Sequence, residues 1–459
     1  MLLAAALGVS LQESAPIGTV EQRARAVVNQ VTEQQSWLEK TLKPKTISAR
    51  YWFKGKMLLY TTGFFGGLGD ALFGYNSSIM SGLLVNPVFI SRFFKDYGGA
   101  DGSTAAVDPS ITGISVACLQ AAAAGIAVGF LSMTVPIIQT EIAAPHHRGL
   151  MVGIKYTMSI AGYMLSCWVD YGFNFLLPEK MSWQGPFIVQ VGLAFILLLT
   201  VADLHANGDT TVEHVQHTNL GKSTWTEMFT RYRKRTIVGI TVQMFAQLNG
   251  INIISFYLPS TLASAGFDNR KSLLYTTANA IPYTAATVVT WWLANSWGRK
   301  PLLILGGFGM AILLGIVCAI IEANIDIAIK ANAQYAFVML YNICYGFTWG
   351  PMPWLLPAKI FPLQGRSKGM ALATTSNWIF NFIIGMVSPD AFAGIGGYFY
   401  LVIAGFCLFS AGLVYFYYVE TANHSLEEIA ALFGNQAFAD EGHVPEIGEV
   451  RKDGVKEVA

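Results

Sequence analysis

Pro301-Leu-Leu-Ile-Leu-Gly-Gly-Phe-Gly-Met-Ala-Ile-Leu-Leu-Gly-Ile-Val-Cys-Ala-Ile-Ile321 runs 21 residues without a charge, behind Arg299-Lys300 and ahead of Glu322. About 20 apolar residues suffice to cross the hydrocarbon core of a bilayer as a helix. Similar stretches lie at 57–82, 110–136, 151–172, 185–202, 236–262, 273–295, 335–358, 369–389 and 397–418. With 53% apolar and 12% charged residues, the composition cannot clothe a water-soluble surface of this size. Because bilayer lipid offers backbone groups no hydrogen bonds, the expected fold is an all-α membrane bundle of about ten transmembrane helices.

The basic residues set the orientation. Of the 29 Lys and Arg, 23 fall in the two tails and on alternate connections, with Lys155 counted there; Arg92, Lys95, Lys180, Arg270, Lys271 and Lys330 fall on the other side. The richer side is cytoplasmic by the positive-inside rule, and an even number of crossings puts both tails there. The opening Met1-Leu-Leu-Ala-Ala-Ala-Leu7 has no charged n-region and is expected to be tail rather than signal peptide. The net charge of +1 gives no footprint for nucleic acid, and Arg231–Arg235 reads as a topology signal. All five cysteines lie within apolar stretches, so no disulfide is expected. No nucleophile-and-base set suggests an enzyme, His214 and His217 read as solvated rather than metal ligands, and no cofactor is expected. The expected partners are the lipid bilayer and a small solute.

One internal repeat stands out. Glu141-Ile-Ala-Ala-Pro-His-His-Arg148 recurs in outline as Lys359-Ile-Phe-Pro-Leu-Gln-Gly-Arg366, each behind a Pro-containing apolar helix. Parallel repeats of this kind build secondary transporters whose halves rock about a midplane site.

Polar residues within the spans mark candidate sites, because they are costly there unless they meet a partner or a water-filled cavity. Gln243 and Gln247 stand one turn apart, with Asn252 nearby; Asn377 and Asn381 are another such pair. They read either as a wall of hydrogen-bonding groups for a solute or as glue between helices. Trp354 follows Gly350-Pro-Met-Pro353, a sequence that disrupts helical hydrogen bonding. Its ring reads as a stacking platform or as an interfacial anchor.

Five motifs in order resemble the sugar porters of the major facilitator superfamily, their fungal branch in particular: Phe73-Gly-Tyr-Asn76; Pro136 with Glu141 and Arg148-Gly149; Gln247 with Gly250-Ile-Asn252; Trp297-Gly-Arg299-Lys300; and Gly350-Pro-Met-Pro-Trp354. Asn377-Trp378 with Asn381 and Glu420-Thr421 extend the match, which covers about residues 57–430. The resemblance implies a carrier of a monosaccharide or related polyol or cyclitol working by alternating access, with Gln243, Gln247, Asn252, Trp354, Asn377 and Asn381 lining the substrate site. It implies gating charges at Glu141, Arg148, Arg299 and Arg366, and a multi-pass place in the plasma membrane. It divides the chain into a cytoplasmic tail (1–56), a shortened first half (57–202), a cytoplasmic linker (203–235), a six-helix second half (236–418) and a cytoplasmic tail (419–459) in which Ser425-Leu-Glu-Glu428 reads as a capping box.

The departures are informative. The family has twelve helices, and here Gln120-Ala-Ala-Ala-Ala124 runs straight into Gly125, so the third helix and parts of its neighbours are missing. Either coding sequence has been lost from the chain or this is a truncated paralogue. Tyr156 and Tyr283 replace frequent Gln and Asn positions, which suggests a substrate other than glucose, such as a less polar polyol or a cyclitol acid like quinate. Asn76 replaces the Asp of proton symporters and does not titrate, which leans toward facilitated diffusion. Asp70 is the one acid in that helix that could restore coupling, but at six residues away it faces a largely different direction. Asn295 and Lys359 stand where the gate normally has acids, so the gate is expected to be weakened. A non-transporting sensor and a secondary-metabolite exporter remain open alternatives.

Overall fold

The computed structural model describes residues 56–103, 106–121, 129, 148–216, 223–362, 364–422 and 433. Glu141, Pro136, the junction past Ala121 and the capping box at Ser425 lie outside them. Among the described residues the chain is helical: α1 (Lys56–Leu83), α2 (Pro87–Phe93), α3 (Pro109–Ala121), α4 (Arg148–Asn174), α5 (Met181–Gln216), α6 (Trp225–Phe229), α7 (Arg233–Leu248), α8 (Ile251–Ser264), α9 (Asn269–Ser296), α10 (Arg299–Glu322), α11 (Ile327–Phe347), α12 (Met352–Ile360), α13 (Arg366–Ile395) and α14 (Phe399–Tyr417).

Every expected span falls on helix over its described part, save for the breaks at Asn249-Gly250 and Thr348–Pro351. By length and apolarity alone, however, only four helical stretches qualify among the described residues: Met181–Leu199, Arg233–Ser264, Arg299–Glu322 and Arg366–Tyr417, the last containing both α13 and α14. The other long helices fall short because they turn polar side chains inward. α1 buries Asp70 and Asn76, α4 buries Lys155, Asp170 and Asn174, α9 buries Thr276, Thr277 and Asn279, and α11 buries Gln334 and Asn342. Outward faces are apolar. On α5, Ile188, Val191, Phe195 and Leu198 recur at three- and four-residue steps and are each 59–69% exposed, the stripe a lipid-facing helix presents.

Two spans are broken. α7 and α8 meet at Asn249-Gly250, where Gly250 has a φ of +98° that a residue with a Cβ rarely adopts. α11 and α12 meet at Thr348–Pro351. Broken helices at membrane depth are the usual walls of a transporter site. The two halves join where α4 packs on α9, α3 on α13 and α1 on α8; within the first half, α1 lies along α4.

Candidate substrate site and gate

The broken α12 starts the site. Pro357 has no N–H to give the carbonyl of Pro353 one turn earlier, and the side chain of Gln243 supplies the donor, Nε2 to Pro353 O at 3.0 Å. Gln243 Oε1 in turn accepts from Asn377 Nδ2 at 2.7 Å. One amide thus ties α7, α12 and α13 together. One turn along, Asn252 donates to Gln247 across the α7–α8 break. Gln243 is fully buried, and Gln247, Asn252, Trp354, Asn377 and Asn381 are nearly so. Asn381 differs from the rest, because its Oδ1 is buried without a hydrogen-bond partner.

The face of Trp354 is occupied. Lys155 Nζ sits 3.8 Å from its ring centroid and 3.5 Å from Asp70 Oδ1. Lys155 is 3% exposed and Asp70 1%. This corrects the reading of Lys155 as a cytoplasmic charge: it stands two turns inside α4, where a carboxylate and an aromatic face offset its desolvation. The sequence carried a signal for it, since Lys155 interrupts an apolar stretch with no other charge before Asp170. Asn76, by contrast, accepts from Gln190 Nε2 at 2.8 Å, so Asp70 and Asn76 face different neighbours, as their spacing implies.

Tyrosines fill the space between the halves. The hydroxyls of Tyr156 on α4 and Tyr283 on α9 lie 2.8 Å apart. Tyr163 and Tyr345 pack edge-on to the Tyr283 ring at 6.2 and 6.5 Å. Tyr345 donates to the carbonyl of Ala246 at 3.0 Å and Tyr341 to that of Asn249 at 2.6 Å, satisfying carbonyls at the α7 break. The Tyr156 ring lies against Gly350, where a Cβ would come within 2.6 Å of it. Tyr156 and Tyr283, two of the positions read in the sequence as departures from the family's polar residues, are therefore in contact with each other.

On the predicted cytoplasmic side, Arg299 is buried at the start of α10. Its backbone N–H and that of Lys300 donate to the two oxygens of Glu420 at 3.0 and 2.9 Å, so a carboxylate from beyond α14 caps α10. Arg366 is buried at the start of α13. Arg148 opens α4, but its side chain and all of Glu141 lie outside the described residues. Arg235, not anticipated as a gate residue, donates to the carbonyl of Ile360 at 3.1 Å and ties α7 to the end of α12.

The galactose transporter of Saccharomyces cerevisiae is 26% identical over 81% of this chain and 76% of its own length. The high-affinity glucose transporter of Kluyveromyces lactis is 25% identical over 86% and 89%, and the quinate permease of Neurospora africana 26% over 83% and 77%. Among solved structures, the proton:xylose symporter XylE bound to 6-bromo-6-deoxy-D-glucose superposes with a TM-score of 0.65 at 21% identity, covering 83% of this chain and all of that one. The inward-open XylE of E. coli gives 0.61 at 20%, over 82% and 99%. The model of the family described as "Sugar (and other) transporter" matches residues 109–204 and 200–433, and the chain belongs to that family of multi-pass membrane transporters.

Proposed function

We propose that this protein moves a small polyhydroxylated solute across the plasma membrane by alternating access, with the solute held among Gln243, Gln247, Asn252, Trp354, Asn377 and Asn381. The observation that carries the reading is the Gln243 amide, which bonds a proline-freed carbonyl of α12 and Asn377 of α13 at once. A solute hydroxyl, donor and acceptor at once, that comes between these groups takes over both sides of the bond it replaces, so no buried polar atom is left unmet. Relatives named for galactose, glucose and quinate support a solute of this size and polarity. Asn76 carries no proton, so it offers no site for coupling to a proton gradient. Glu420 at the start of α10 and Arg235 at the end of α12 tie together helix ends within the second half, on the side expected to be cytoplasmic.

The test is uptake of radiolabelled hexoses, polyols and quinate by yeast lacking its own hexose carriers and expressing the chain. Saturable uptake of one of them, lost in Gln243→Ala, supports the reading. Surface expression with no uptake of any of them overturns it.

A further inference from the structure

The most unusual feature within the bundle is a pair of charges. Asp70 lies at the middle of α1 and Lys155 two turns inside α4, both buried. Ionisable residues at membrane depth mark solute or ion pathways. A structural buried pair also needs its remaining lone pairs satisfied to offset desolvation. Here it does not have them: neither oxygen of Asp70 has a hydrogen-bond partner among the described residues, and the ammonium stands off at 3.5 Å. The carboxylate is an under-satisfied counter-ion, held by proximity rather than by a bonding network.

The position of the ammonium adds the second argument. It rests on the face of Trp354, which belongs to the other half of the molecule. A ring or chain of hydroxyls that stacks on Trp354 meets a positive charge before it meets the indole. A neutral solute displaces that charge and gives nothing back. A solute with a carboxylate supplies a better partner than Asp70 does, in a charge-assisted hydrogen bond.

We propose, on the basis of the carrier reading above, that Lys155 binds a carboxylate of the solute, so that the substrate is a polyhydroxylated monocarboxylate and Asp70 is the counter-ion it displaces. The displaced Asp70 carboxylate takes one proton from the entering water, because an unpaired buried carboxylate is costly. On release the solute carboxylate leaves, Lys155 returns to Asp70, and the proton goes to the water on the other side. One anion and one proton move together, without net charge. α4 also brings Asp170 to α1, where it faces Gly82, but this acid is about 22 Å further along α4 than Lys155. The apolar part of α5 up to Leu199 and all of α8 bring no acid or base to α1, Tyr257 being the one phenol there.

The experiment uses the full chain, purified in detergent and reconstituted into vesicles. Two pairs of probes differ chiefly in the carboxylate: D-gluconate against D-glucitol, and quinate against myo-inositol. Expected are thermal stabilisation by one of the acids over its neutral counterpart and uptake of that acid that quickens as the outer pH falls. Lys155→Gln weakens binding of the acid roughly 10- to 100-fold, the worth of a charge-assisted hydrogen bond. Asp70→Asn abolishes the pH dependence. Because Lys155→Gln leaves Asp70 stranded, the doubly neutral Asp70→Asn/Lys155→Gln protein is measured beside it, and it too loses the acid. Transport of the neutral probes with no acid bound overturns the proposal and leaves the carrier reading standing. Acid binding as tight in the double variant as in the parent also overturns it. Binding and transport of none of the four overturns both.

Discussion

The hydroxyls of Tyr156 and Tyr283 share a hydrogen bond of 2.8 Å across the two halves of the bundle. Both are buried, and the resemblance to sugar porters reads them as standing where a usual Gln and a frequent Asn are expected. A buried hydroxyl stripped of its partner costs about 1–3 kcal/mol, whereas removing both partners is nearly neutral. Tyr156→Phe and Tyr283→Phe are each expected to lower the melting temperature of the purified protein, and the double variant to recover most of the loss. A double-mutant cycle by thermal unfolding measures it. Tyr156→Gln with Tyr283→Asn removes bulk and restores polar groups at the midplane, and uptake of neutral hexoses is expected to rise.

Asn377 and Asn381 are one turn apart on α13, yet their circumstances differ. Asn377 is committed to Gln243, whereas Asn381 holds a buried oxygen with no partner. Asn377→Leu leaves Gln243 Oε1 without its donor and is expected to cost about 1–3 kcal/mol of stability. Asn381→Leu relieves an unmet polar atom, so stability holds or rises while transport KM for the solute increases. Melting curves and uptake kinetics on both variants check the split; equal loss of stability in the two would remove Asn381 from the solute site.

How far the sequence carried is clearest at such residues. Spans follow from apolar runs, and the break before α12 from Gly350-Pro-Met-Pro353, because one chain segment is enough to decide them; the break at Asn249-Gly250 carries no comparable proline signal. The partner of each polar residue is a matter of tertiary packing. Gln243 was readable as polar and inward, but that it replaces the N–H missing at Pro357 depends on how α7 lies against α12. Lys155 was misread because a lone Lys near the end of an apolar run has the same local pattern whether it snorkels to the cytoplasm or pairs inside. The carboxylate that settles its place is 85 residues away in the chain. Glu420 likewise appeared only as part of a tail motif, and its place at the start of α10 depends on α14 packing along α10.

That cap leads to a prediction of its own. Glu420 accepts from the backbone N–H groups of Arg299, Lys300, Thr421 and Ala422. A carboxylate at a helix N-terminus satisfies orphan donors and meets the positive end of the dipole. Glu420→Ala is expected to cost about 1–2 kcal/mol, in line with lost N-caps, and Glu420→Gln less. Gly298 leaves room for the carboxylate and has a φ of +90°, so Gly298→Ala is expected to be at least as harmful. The readouts are the melting temperature and the accessibility of cysteines introduced on the cytoplasmic side, which rises if the cap also holds the gate.

The seam between α1 and α4 brings Asp70 to Lys155. Gly74 of α1 lies against the backbone carbonyl of Ser159, and Gly162 of α4 against that of Ala71; a Cβ at either would overlap the carbonyl oxygen. Small residues facing a backbone are how membrane helices approach closely when no hydrophobic force separates them from lipid. Gly162→Ala must push α4 off α1, an overpacking cost of about 1–3 kcal/mol, and the ion pair about two turns away along α4 opens with it. Gly172, exposed on the same helix with nothing near its missing Cβ, is the control: Gly172→Ala is expected to be neutral or to stabilise by up to about 1 kcal/mol through helix propensity. Size-exclusion profiles and melting of the two variants decide the matter, since equal behaviour would mean that close packing along α1 and α4 does not hold the charged pair in place.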